Sequence, residues 1–324
     1  MTKSLLWSVA MSCTIHWLNS PPNIRKEHFQ KVKNANILQD PLYGLATAQM
    51  GSSKPKWAIF EIEGHEAGFF QILETGICAN MLHAVMLDRG PVWFDGYGSH
   101  EHFAAFLTAF RKEFPHRLGR AVRLMPEIES SQDVDSLLQQ HKFRKKTKKY
   151  QTISLDLTQD AAQLRGDFKK NWRSALQKAE NAGVTADWDT KGTHLDWFLK
   201  FYSFDKKTKG YDGPSVELIR ALSSKFTPEG DMIIGRAKHE GQVIAAILLF
   251  CHGPTATYQI GWNTQRGRDL SAHNLLLWEA LLFLKQRGLS GLDLGGVNES
   301  AAKNVKKFKE GMGGQLITLA GLYT

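Results

Sequence analysis

Hydrophobic and polar positions along the chain fall into the same order twice. In the first half, apolar-rich runs predict strands at Lys56–Ile62, from Phe69 onward, around Met81–Leu87 and at Pro91–Phe94, with a turn through residues 63–68. A helix follows, with Ser99 as its N-cap and Phe103, Phe106, Leu107 and Phe110 on one stripe, and then a strand at Ala121–Met125. The second half repeats this grammar with strand Asp231–Lys238, turn Glu240-Gly241, strand Gln242–Phe250, a Gly253-Pro254 turn and strand Ala256–Gly261. Its helix starts after Ser271, carries Leu275, Trp278, Leu281, Leu282 and Leu284, stops at Gly288 and leads into strand Gly291–Leu294. Two copies of one pattern predict a pseudo-duplicated α/β architecture rather than one large sheet.

Between the copies lies the densest positive run, residues 141–150, which reads as the linker and divides the chain into 1–148 and 149–324. Residues 315–323 predict a strand that returns to the first half. Just after the linker, Leu164, Phe168, Trp172 and Leu176 recur every fourth residue. They predict one helix from Ala161 to Ala182, capped by Thr158 and stopped by Gly183. Arg165, Lys169 and Arg173 repeat at the same interval on another face, a stack suited to phosphate or, equally, a solvated stripe.

The chain has 324 residues, 42% of them hydrophobic, enough for two ordinary cores. A formal charge of +9 suits a polyanionic partner such as tRNA, a nucleotide-linked substrate or an anionic membrane surface; a basic surface kept for solubility is the competing reading. Cys13, Cys78 and Cys251 form no paired motif, which fits a reducing cytoplasm. The apolar stretch Leu5–Leu18 reads as the first strand region; a signal peptide would want a cleaner cleavage site. No run of uncharged apolar residues is long enough to predict a spanning helix.

The C-terminal part concentrates candidate chemistry. Asp293-Leu-Gly-Gly-Val-Asn ends a buried-looking strand, and Phe308-Lys-Glu-Gly-Met-Gly-Gly follows closely. Glycines permit close backbone approach, and Lys309 on so cramped an element can carry charge to a polarised oxygen or a phosphate.

These two strings resemble the C-terminal signature of the FemABX aminoacyltransferases of peptidoglycan bridge formation, with Met312 in place of the usual aromatic. Other pieces follow in order. Gln39-Asp-Pro-Leu-Tyr43-Gly44 is similar to the family's opening motif, with Tyr43 replacing tryptophan. Arg89-Gly-Pro-Val92 resembles its Arg-Gly-Pro-Val strand and would put Arg89 at a strand start. Asn171-Trp-Arg173, then Lys178-Ala and Gly183-Val184, resembles a helix lining the precursor cleft, and Tyr258 matches a tyrosine near the acceptor site.

The resemblance, running from about residue 37 to 314, implies an α/β protein of two tandem GNAT-like acyltransferase domains with mixed sheets and a central cleft. It implies that Lys309 stabilises a tetrahedral oxyanion beside Phe308, that Arg173 holds acceptor phosphate, and that Tyr258, Tyr43, Arg89 and Asp293 line the substrate. No cofactor is implied. The co-substrate would be aminoacyl-tRNA and the acceptor an amine of a phosphate-bearing cell-wall precursor, with Lys303, Lys306, Lys307 and the basic linker receiving tRNA or lipid head groups. The place would be the cytoplasm, at the inner face of the membrane. Each residue also has a plainer reading: Tyr43 as a core plug, Arg89 as a turn arginine, Tyr258 as a buried tyrosine, Asp293 as a cap on the following turn.

Two other classes stay open: an N-acyltransferase using acyl-CoA or an acyl carrier on a small molecule, and a noncatalytic RNA- or membrane-binding protein. Coenzyme A usually needs a glycine-rich turn before a helix, and Gln265-Arg-Gly-Arg-Asp-Leu-Ser271 fits no register of that pattern. His100 and His102 lie two apart and make a poor metal pair on a helix. A GxSxG elbow, a Walker A loop and a GxGxxG turn are all missing from the sequence.

Overall fold

A computed structural model of the chain describes residues 11–19, 25–51, 53–77, 81–146, 150–297 and 303–324. Residues 5–10 of the Leu5–Leu18 stretch, Cys78, the boundary at residue 148 and the side chain of Lys303 lie outside the described residues.

The first sheet contains β1 (Cys13–Leu18), β2 (Lys54–Ile62), β3 (His65–Ile77), β4 (Leu82–Asp88) and β6 (Arg120–Met125) in that order, with the short β5 (Val92–Trp93) pairing β3. β3 begins at His65, not Phe69, because Glu63 and Gly64 both take positive φ (51° and 80°), the geometry of a two-residue hairpin turn. Helix α1 (Pro41–Gln49) precedes β2, and α2 (His100–Glu113) crosses from β4 to the parallel β6. Ser99 caps α2, accepting from the His102 N–H, and Phe103, Phe106, Leu107 and Phe110 pack into the first core. Helix α3 (Gln132–Gln140) follows β6.

The second sheet takes its strands from Tyr150 onward, in the order β13-β7-β12-β11-β10-β9-β8. Its members are β7 (Tyr150–Asp156), β8 (Thr185–Asp189), β9 (Met232–His239), β10 (Gln242–His252), β11 (Thr255–Asn263), β12 (Gly291–Gly296) and β13 (Gln315–Leu319). Helices α4 (Ala161–Asp167), α5 (Lys170–Asn181), α6 (Leu195–Lys209), α7 (Val216–Phe226), α8 (Gln265–Asp269), α9 (Ala272–Gln286) and α10 (Lys303–Glu310) complete it. The run β8 to β12 repeats β1 to β6: three antiparallel pairings, then a helix crossing to a parallel strand. Glu240-Gly241 forms the same positive-φ turn as Glu63-Gly64.

The expected helix 161–182 is two helices. Phe168 and Lys169 are extended (ψ 137° and 148°), Asp160 rather than Thr158 caps the first piece, and the Lys169 N–H donates to the Gly311 carbonyl. Leu164, Phe168, Trp172 and Leu176 still bury together, because the break rotates the second piece without removing it from the core. The break dissolves the expected cation stack: Arg165 forks onto Glu180, and Arg173 turns back onto backbone carbonyls.

The halves interlock. Leu42 and Tyr43 of α1 pack with the core formed by α6, α7 and β9–β11. Strand β13 itself pairs with β7 in the second sheet, and its end and the segment after it reach the first half: Glu129 bridges Leu319 and Leu124 bridges Tyr323, while the Tyr323 hydroxyl donates to Asp135. Among the described residues, no helix is long and apolar enough to cross a membrane.

Candidate active site

The two repeats differ where their parallel strands meet. β4 and β6 stay paired over six positions, from His83 opposite Arg120 to Asp88 opposite Met125. β11 and β12 pair over only three, from Thr255 opposite Gly291 to Thr257 opposite Asp293, and then part. Beyond that point β11 carries a bulge at Gln259, since its register on β10 moves from Leu248–Ile260 to Leu249–Tyr258. A bulge twists its strand and leaves ladder groups unpaired. The first sheet is thus zipped shut, and the second opens a gap bounded by Tyr258 on one side and Gly295-Gly296 on the other.

Lys309 fills that gap. α10 is short and polar, and its buried attachment is the glycine-rich stretch behind it: Gly311 lies against Trp172, where a Cβ would stand 2.6 Å from the indole, and Gly314 against the Ser154 carbonyl. Only glycine permits such approach. Phe308 packs on Trp172 and faces His273, with ring centres 6.0 and 6.4 Å away. Lys309 itself is 7% exposed. Its Nζ donates to the carbonyls of Gly295 (3.4 Å) and Gly296 (3.2 Å) and stands 5.6 Å from the centre of the Tyr258 ring. Burial pushes the ammonium down to about 8, with Asp293 pulling the other way. It is charged at neutral pH yet poorly hydrated, the condition in which a fixed cation acts most strongly on a developing negative charge.

Tyr258 is held close. A Cβ on Gly261 would lie 2.2 Å from its hydroxyl and 3.1 Å from the His273 ring. Burial pushes His273 down to about 4, so a neutral imidazole borders the gap.

Asp293 lies where β11 and β12 part, and its carboxylate is fully engaged. It accepts from Arg89 Nη1 (2.9 Å), the Thr152 hydroxyl and the Gly295 N–H (2.7 Å). Burial alone would raise its pKa, but Arg89 and these donors outweigh it and hold the carboxyl below its usual range. The bond to Gly295 is the turn-capping role that the sequence allows for Asp293. Arg89 does not start a strand; it follows the end of β4 at φ 49°. Its Nε and Nη2 fork onto Glu127, both at 2.7 Å, and its guanidinium lies over Tyr150 at 5.4 Å. Tyr43 is placed elsewhere, half-buried in the core shared by the two halves, where burial and then Asp88 push its phenol up to about 12.

Two cavities of about 680 and 750 Å³ lie side by side between the first half and the second sheet. Arg89, Glu127, Thr152 and Asp293 line the first, while Asp167 and Gly313-Gly314 line the second; Lys33 belongs to both. Lys309 lines neither, so the chain offers a wide interdomain cleft and a narrow strand gap, joined through Asp293. Arg173 is not among the residues that line either cavity. Its Nη1 donates to the carbonyls of Gly166 and Phe168, the residues flanking Asp167. Sequence reasoning missed Lys33, Glu127, Tyr150 and Thr152, none of which belongs to a motif. Among the described residues there is no cluster of metal-ligating side chains. Ahead of α9 the chain forms the five-residue α8, and Arg268 is held by the Asn263 carbonyl and the Gln265 side chain.

Residues 166–310 match the acetyltransferase (GNAT) domain family. No curated protein sequence matches the chain. Among solved structures, FemX superposes with a TM-score of 0.77 at 14% identity, covering 95% of this chain and 96% of that one. L-PGS from Bacillus licheniformis gives 0.52 at 10% identity over 93% and 90% of the two chains. A tandem GNAT protein from the clavulanic acid biosynthesis pathway gives 0.50 at 11% over 96% and 98%. The chain therefore has a FemX-like fold of two GNAT-like units in tandem, and its second half carries an acetyltransferase-type GNAT domain, which supports an acyltransferase.

Proposed function

We propose that the protein is an aminoacyltransferase that moves an aminoacyl group from aminoacyl-tRNA to an amine of a phosphate-bearing cell-wall precursor or a similar acceptor. The observation that carries the reading is Lys309, a buried cation fixed by two carbonyls in the one parallel strand pair that opens, on a fold like that of FemX over nearly its whole length. The donor is already an activated ester, so no cofactor and no covalent enzyme intermediate are required. The acceptor amine attacks the ester carbonyl, the C–N bond forms, and the C–O bond breaks. The amine proton leaves with the ribose oxygen. Lys309 faces the oxyanion formed in between, while Phe308 and Tyr258 wall the gap.

The acceptor occupies the interdomain cleft. Lys33 inside it and, outside its lining, the part of the Arg173 guanidinium beyond Nη1 offer cations to its phosphates, and Arg89 and Asp293 form the inner wall. Surplus positive charge, with Lys306 and Lys307 on α10, attracts tRNA or anionic head groups at the inner face of the membrane. The short α8 and the engaged Arg268 argue against a coenzyme A pyrophosphate at α9.

The test is transfer from a mixed pool of charged tRNAs to precursor extracts, read by mass spectrometry, with acyl-CoA as a parallel donor. Mass gain with charged tRNA supports the reading. Gain with acyl-CoA alone assigns the protein to thioester-dependent transfer, and consumption of neither donor refutes both.

A further inference from the structure

We propose that Arg89 is a positioning residue that couples occupancy of the interdomain cavity to the placement and charge of Lys309. Arg89 belongs to the first half and Asp293 to the second, and their 2.9 Å contact crosses between the two sheets. The arginine is fixed from every side. Its backbone is left-handed, uncommon for a residue with a side chain, and its carbonyl accepts from Asn36 Nδ2 at 2.8 Å. Its fork on Glu127 is bidentate, and it is 7% exposed.

Two routes lead from this guanidinium to the carbonyls that hold Lys309. Through Asp293, the same carboxylate that takes Arg89 Nη1 takes the Gly295 N–H, and the Gly295 carbonyl takes Lys309. Through Tyr150, the ring beneath Arg89 abuts Gly296, where a Cβ would stand 3.4 Å from it, and the Gly296 carbonyl takes Lys309. Arg89, Glu127 and Asp293 all line the cavity, so a ligand seated there touches the near end of both routes. The groups facing Lys309 are Asp293 on β12, Tyr258 on β11, Tyr150 of β7 behind Gly296, and His273 of α9 across Phe308; Lys306 shares its helix.

The catalytic meaning of this coupling rests on the aminoacyltransferase reading, but its test does not. In the full chain, lysines are ¹³C-methylated and titrated by NMR, with the Lys309 signal assigned by its loss in Lys309→Arg. Arg89→Met leaves the Asp293 charge unbalanced and raises the Lys309 midpoint by about one pH unit. Glu127→Gln leaves Arg89 less neutralised and lowers it. Thermal melts check that each variant is folded, and Glu127→Gln carries the test alone if Arg89→Met is not. A Lys309 midpoint unmoved in a folded variant overturns the coupling. Shifted midpoints in a protein that transfers nothing uphold the coupling and sink the transferase reading; transfer with unmoved midpoints does the reverse.

Discussion

The ammonium of Lys309 faces the ring of Tyr258 at 5.6 Å across the gap where β11 leaves β12. The carbonyls of Gly295 and Gly296 fix this cation in the gap, so its removal should fall on the chemical step. Lys309→Ala is expected to lower single-turnover transfer by roughly 10²–10³-fold, the scale of losing one oxyanion donor, while acceptor binding by calorimetry stays within a few fold. Equal loss of binding and turnover would place Lys309 in substrate capture instead.

The pH dependence has a definite sign. Lys309 must be protonated to stabilise an oxyanion, and burial brings its pKa down to about 8. Transfer should therefore decline as pH rises through about 8, whereas an ordinary lysine would hold its charge to above 10. Single-turnover rates between pH 6.5 and 9.5, under conditions where the donor ester survives, check this.

Holding that charge costs stability. The folded pKa lies below the unfolded value, so the penalty is full below about pH 8 and fades as pH rises towards 10.5, the ordinary value for a lysine. Lys309→Met should stabilise the protein at pH 7 by on the order of 1 kcal/mol, read as a higher melting temperature, after the lost bonds to Gly295 and Gly296 are subtracted. The gain should shrink at pH 10. A variant that is inactive and no more stable at pH 7 would contradict the burial penalty.

Gly261 is a steric prediction. Its φ is ordinary, but a methyl group there would displace the Tyr258 hydroxyl and the His273 ring. Gly261→Ala is expected to cost about 1–3 kcal/mol in chemical denaturation and to lower transfer more than binding. Unchanged turnover would show that Tyr258 tolerates movement.

The repeated hydrophobic pattern made the two units legible, because each strand and crossover helix buries a face whose period the sequence states openly. The region 185–226 was not legible: α6 and α7 bury Phe198, Leu199, Tyr202 and Ile219 against β9–β11, a surface that exists only once the second sheet is built. The break at Phe168 was hidden for a related reason, since its extended backbone is supported by Gly311, far along the chain. At the site, Lys309 could be singled out by its glycine neighbours. Glu127, Tyr150 and Thr152 could not, because their part depends on Arg89 and Asp293 meeting, 204 residues apart in sequence.

The returning strand has a consequence for how the protein is made. Residues 315–323 are the last of the sheet to be synthesised, yet Leu319 and Tyr323 pair with Glu129 and Leu124 of the first half, and Tyr323 is fully buried there. During translation the first unit must wait with that side of its core uncovered until residues 315–323 have emerged, well after the whole of the second unit's sheet up to β12. Vectorial, one-unit-at-a-time maturation is therefore closed to it, and the cleft between the units is assembled late, in the same event that completes the first.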